Sequence, residues 1–158
     1  MLLPVCLFTA CQEDMAHQFC AIDCNGWSQN AKARFCIAEL KGHKTYDLAL
    51  EARIGKRYPY RDLWVAVDTR LHGKPYISDT LCLDIVSPTG EMDGYGRELL
   101  EYQVPVRQFR LDSRDTLEVC VRHIMSAKVI PGVHDIGIRL ESGLKDGRKR
   151  EMFFWDRQ

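Results

Sequence analysis

The sequence predicts an all-β fold, an antiparallel sandwich of jelly-roll-like form with about eight strands, and three observations carry this expectation. Several segments alternate apolar and polar residues with a period of two, which places successive side chains on opposite faces of a strand. Between them fall short clusters of Gly, Pro, Asp and Ser, the residues that turns need. Helices of about ten residues or more, which a parallel sheet requires as crossovers, find no room between these segments.

Taken in order, "ARFCIAEL" (33–40) is the first and weakest strand candidate. "TYDLALEARI" (45–54) is clearer, with Tyr46, Leu48, Leu50, Ala52 and Ile54 on one face and Asp47, Glu51 and Arg53 on the other. The turn segment "GKRYPYRD" leads into "LWVAVDTR" (63–70), and "LHGKP" leads into "YISDTLCLDIV" (76–86). After "SPTGEMDGYG", the stretch "GRELLEY" (96–102) is a modest helical candidate. "VPVRQFRL" (104–111) and, past "LDSRD", "DTLEVCVRHIM" (115–125) return to strands. In the latter, Leu117, Val119, Val121 and His123 oppose Glu118, Cys120 and Arg122. "IPG" precedes "VHDIGIRLE" (133–141), and "KDG" precedes a last candidate, "REMFFW" (150–155). The expected organisation is a signal segment over 1–10, an N-terminal tether over 11–32 and a single domain over 33–158.

Composition fits one core. The chain has 158 residues, 46% of them hydrophobic, and a domain of that size buries roughly 70% of its unfolded surface. Lys plus Arg and Asp plus Glu both number 22, so no basic excess is available for nucleic-acid phosphates, and no nucleic-acid partner is expected. The basic cluster "KDGRKR" (145–150) contains Asp146-Gly147, a tight-turn dipeptide, and reads as a solvated turn.

Residues 1–10 carry no Lys, Arg, Asp or Glu and end in small residues, the build of a signal-peptide core. They are too few to span a bilayer, which takes roughly 20 helical residues. "LFTAC" resembles a bacterial lipobox, with Thr9 and Ala10 before Cys11; Phe8 stands where Leu is usual, and no basic residue precedes the run. The expectation is therefore a lipidated Cys11 as first residue of the mature protein and contact with the lipid bilayer through its acyl chains, of which stable anchoring needs more than one. An edge strand over Leu2 to Phe8 with a buried Cys11 is the plainer alternative.

Behind Cys11 remain Cys20, Cys24, Cys36, Cys82 and Cys120, an odd number, so at least one is free whatever pairs form in an oxidising compartment. His17, Cys20 and Cys24 could form a metal site, but Cys20 and Cys24 match no redox pair and have no second pair to complete a zinc site. No phosphate loop, nucleophile elbow or zinc-protease motif is present. His72 lies in a Gly-Pro turn, His123 falls on an apolar face, and the adjacent His134 and Asp135 point to opposite faces of a strand. Asp79 and Asp84 differ in parity too, although carboxylates could still meet across strands. No catalytic residue, cofactor or metal is expected.

Three stretches carry a resemblance: "YPYRDLWVAVDT" (58–69), "DTLCLDIVSPTGEMDGYGRELLEY" (79–102) and "IPGVHDIGIRLE" (130–141). Together with Trp27 and the Tyr46 to Arg53 strand, they resemble the gliding-motility lipoprotein GldH family over about residues 25 to 141. The resemblance implies a lipidated Cys11, a role beside other envelope proteins of gliding machinery or its linked secretion system, and no enzyme. Two kinds of function stay open. One is a membrane-anchored protein whose sandwich docks partners, with Tyr58, Tyr60 and Trp64 as candidate contact residues because a large indole opposite the Leu63, Val65, Val67 face wants cover. The other is a glycan-binding sandwich, or a glycosidase, that uses exposed aromatics such as Tyr60 or Tyr95.

Overall fold

The structure is a computed structural model that describes residues 15–38 and 44–142. The described residues contain ten strands and no helix, hence no helix long and apolar enough to cross a membrane. These are β1 (Met15–Ala21), β2 (Trp27–Ser28), β3 (Ala33–Ile37), β4 (Lys44–Gly55), β5 (Asp62–Leu71), β6 (Ile77–Asp84), β7 (Leu99–Leu111), β8 (Leu117–His123), β9 (Val129–Ile130) and β10 (Val133–Ser142). One four-stranded antiparallel sheet runs in the order β1-β10-β4-β7, a second in the order β3-β8-β5-β6, and β2 pairs with β9 in a small ribbon. Edge meets edge at β1 with β3 and at β6 with β7. The all-β sandwich expected from the sequence is what forms.

The core lies between the two sheets, and period-2 alternation decides who enters it. Leu48, Leu50, Ala52 and Ile54 of β4 and Ile136, Ile138 and Leu140 of β10 face Leu63, Val65 and Val67 of β5 and Leu117, Val119 and Val121 of β8. All are buried. Two buried tyrosines tie strand ends: the Tyr58 hydroxyl donates to the Asp62 carbonyl at 2.9 Å and the Tyr102 hydroxyl to the Ile85 carbonyl at 3.0 Å. Burial, with a smaller push from Asp93, raises the Tyr102 phenol to about 12. At the β6 and β7 edges, Arg107 grips Asp79 through two hydrogen bonds of 2.7 and 2.6 Å, which together with the nearby carboxylate charge hold its guanidinium above its usual pKa against the opposing effect of burial.

Two expectations need correction. Residues 15–32 are not a tether: β1 pairs with β10 from Met15 opposite Glu141 to Ala21 opposite Asp135. Trp27 is fully buried, with its indole N–H donating to the Ala31 carbonyl at 3.0 Å. The polar letters of "MAHQFCA" mislead because an edge strand needs only a partial inner face, here Ala16 and Cys20 packed against the core. "GRELLEY" is not helical either: Leu99 onwards extends β7, because Leu100 and Tyr102 sit opposite Ile54 and Ala52 and both point inward. Pro105 is tolerated on this edge strand at a register shift opposite Leu48 and Ala49. "REMFFW" and the lipobox with Cys11 lie outside the described residues.

Candidate docking face

The segment "YPYRDLW" turns one end of the sandwich. Tyr58 is buried, and its ring meets that of Tyr60 edge-on at 5.5 Å between centroids. Burial first, then the charge of Asp62, pushes the Tyr58 phenol well above its ordinary range. Gly132 of the "IPG" turn adopts φ +84°, and a Cβ there would stand 2.9 Å from the Tyr58 Cα, so the turn can rest on the Tyr58 backbone only as glycine. The Gly55 N–H donates to the Gly132 carbonyl at 2.8 Å to close the same corner. Behind it lie Trp27, opposite Ile130 in the β2–β9 ribbon, and His123, whose ring meets the Trp27 indole edge-on at 5.4 Å.

The three sequence-predicted contact residues therefore part company. Tyr58 faces the core and Tyr60 is half-buried against it, so neither extends an exposed patch. Trp64 does point outward and is 42% exposed. Its backbone is held on one side, where the Ile124 N–H donates to its carbonyl at 2.9 Å, and its own N–H points at the Met125 sulfur at 3.4 Å. The indole N–H donates to Asp62 Oδ2 at 3.1 Å. Across the β5–β6 pair Trp64 stands opposite Cys82 and Asp62 opposite Asp84, four side chains of one parity on the outer face. Burial, then Asp84, then Asp62, pushes the Cys82 thiol up. The face continues to exposed Ile124. Tyr95 is 83% exposed, in the loop before β7.

Farther along the same face, acids and bases are matched. Asp68 accepts from the Ser78 hydroxyl at 2.6 Å and has Arg122 at 3.8 Å. Glu118 takes a forked pair from Arg70 at 2.6 and 2.8 Å and the Tyr76 hydroxyl at 3.2 Å, while the Arg70 guanidinium lies over the Tyr76 ring. Arg70 bonding keeps the Glu118 carboxyl below its usual range.

The outer face of the other sheet holds a second cluster that sequence reading did not assemble. Glu51 is buried although it faces outward: His17 Nε2 lies 2.5 Å from one oxygen and Arg139 Nε 2.7 Å from the other, the latter an ion pair without hydrogen-bond alignment. Phe19 lies flat over Gly137, where a Cβ would come within 2.5 Å of its ring, and the Arg53 guanidinium stacks on the same ring at 3.8 Å before reaching Glu101 at 2.7 Å. Here the "DIGIRLE" strand and the Arg53 strand meet β1. These contacts fasten β1 to its sheet. His17 is thus turned to Glu51 while Cys20 packs inward and Cys24 is exposed; among the described residues no group of three His, Cys, Asp or Glu could hold a metal. Cys20, Cys24, Cys36, Cys82 and Cys120 are all free thiols.

Fold and faces together define a β-sandwich in which one outer face is locked internally and the other presents an aromatic residue to solvent. The chain belongs to the GldH lipoprotein family, whose model matches residues 14–140. It is also similar to a gliding motility lipoprotein GldH homolog of Christiangramia forsetii, 23% identical over 150 residues that span 89% of this chain and 91% of the relative. Residues 14 to 24, outside the resemblance read from the sequence, fall within the family match, in keeping with β1 as part of the domain.

Proposed function

We propose that this protein is a lipid-anchored component of the bacterial cell envelope, held in the bilayer by acyl chains on Cys11, that docks other envelope proteins of a gliding apparatus or its associated secretion machinery and catalyses no reaction. Trp64 carries the reading: an indole 42% exposed on a fixed strand, at the edge of a face where Asp68 and Glu118 are paired with arginines, is the kind of rigid amphipathic anchor that partner surfaces use. Membership of a lipoprotein family and the name of the relative support the anchor and the gliding link.

The test is crosslinking and affinity purification from native membranes. Trp64→Ala is expected to remain folded and membrane-bound but to lose the partner that the unaltered chain retains; a variant that retains it would defeat the docking reading. Cys11→Ser should lose fatty-acid labelling and leave the membrane fraction, because the acyl transfer needs a thiol nucleophile. Persistent labelling of that variant would refute the anchor.

A further inference from the structure

Resting on Trp64 as the docking residue, we propose that the corner formed by Asp62, Trp64 and Asp84 receives an arginine side chain of the partner. Two carboxylates stand directly opposite one another across β5 and β6, an arrangement that costs stability unless a cation lies between them. Elsewhere on this face and its edge each such acid has its base: Asp68 has Arg122, Glu118 has Arg70 and Asp79 has Arg107. Asp62 and Asp84 have none among the described residues. Of the arginines on and beside these strands, Arg61 bonds the Ser87 carbonyl at 3.5 Å and Arg122 pairs with Asp68.

The indole beside this pair supplies the second half of the recognition. A guanidinium is planar, stacks on an aromatic face and bridges two acceptors, so it satisfies Trp64 and both carboxylates at once, which an ammonium does less well. The molecule already shows this chemistry twice, in Arg53 over Phe19 with Glu101 and in Arg70 over Tyr76 with Glu118. At Trp64 the aromatic and the acids are in place, and the cation must come from outside.

The full chain is titrated with a fluorescently labelled oligo-arginine peptide, and the anisotropy is followed at rising salt. Binding should weaken as salt screens it, and should fall by about tenfold or more in Asp62→Asn/Asp84→Asn and in Trp64→Ala. Glu98→Gln, which removes an exposed carboxylate in the loop before β7, should bind as the unaltered chain does. The Asp62→Asn/Asp84→Asn protein should melt at the same temperature or higher, since a like-charge pair is gone, so lost binding cannot be lost folding. Equal binding by that variant, or an equal loss in Glu98→Gln, would overturn the proposal. So would failure to bind the peptide while a neutral oligosaccharide binds at Trp64, which would assign the face to glycans. The native-membrane purification separates the two levels: a partner lost in Trp64→Ala but kept in Asp62→Asn/Asp84→Asn leaves docking standing and removes the arginine.

Discussion

Tyr58 and Trp64 sit six positions apart in one motif and meet opposite environments. Tyr58→Phe deletes one buried hydrogen bond, to the Asp62 carbonyl, and should cost about 1 kcal/mol in denaturant unfolding while partner retention is unchanged. Trp64→Ala should cost no more than about 1 kcal/mol, far less than the 3 to 5 kcal/mol typical of removing a fully buried aromatic, because much of the indole is already in water. His123 is the third telling residue. It is buried beside Trp27, neither ring nitrogen makes a well-formed hydrogen bond, and burial lowers its pKa below 6.5 against a weaker opposing pull from the Trp27 backbone. The unfolded chain therefore takes up this proton before the folded one does. Stability should be at its full value above pH 6.5 and decline as the pH falls from there to the lowered folded value. In His123→Phe this part of the pH dependence should vanish from urea midpoints measured across the same range.

Among the elements, β1 depends on its neighbours most visibly. Gly137→Ala places a methyl where the Phe19 ring lies, so the ring must swing away and leave Arg53 without its stacking partner. We expect a loss of about 1 to 3 kcal/mol and faster amide exchange in β1, with much of the loss absent when Phe19 is already Ala. Strands with strict alternation, such as β4, β5, β8 and β10, were legible in the sequence because each buries one whole face. β1 was not, since an edge strand that buries two small side chains leaves only a faint period. The start of β7 was misread for another reason: Glu98 to Tyr102 suits a helix locally, and only the register with β4 turns it into a strand. The candidate site shows the same division. Outward parity made Trp64 readable from its own strand. The meeting of Asp62 with Asp84 depends on the register of the β5–β6 hairpin, and that of Glu51 with His17 and Arg139 on pairing between strands far apart in sequence, neither of which a single strand encodes.

On the scale of the whole molecule, the motif segments gather at one end: Trp27, Tyr58, Gly132 and His123 pack together, and Trp64 opens outward from them. β1 enters at the opposite end, where Met15 stands opposite Glu141 and the chain of partners continues through Asp47 to Gln108. Only three residues separate Cys11 from Met15. An acylated Cys11 would therefore be a short leash, of about 15 Å at full stretch, on the near end of the sandwich. From that end to Ala21 the strand climbs about 20 Å, in the direction of the Trp64 corner. With Cys11 acylated, the bilayer and Trp64 would lie at opposite ends of β1's sandwich, and the exposed indole would face a neighbouring protein rather than lipid.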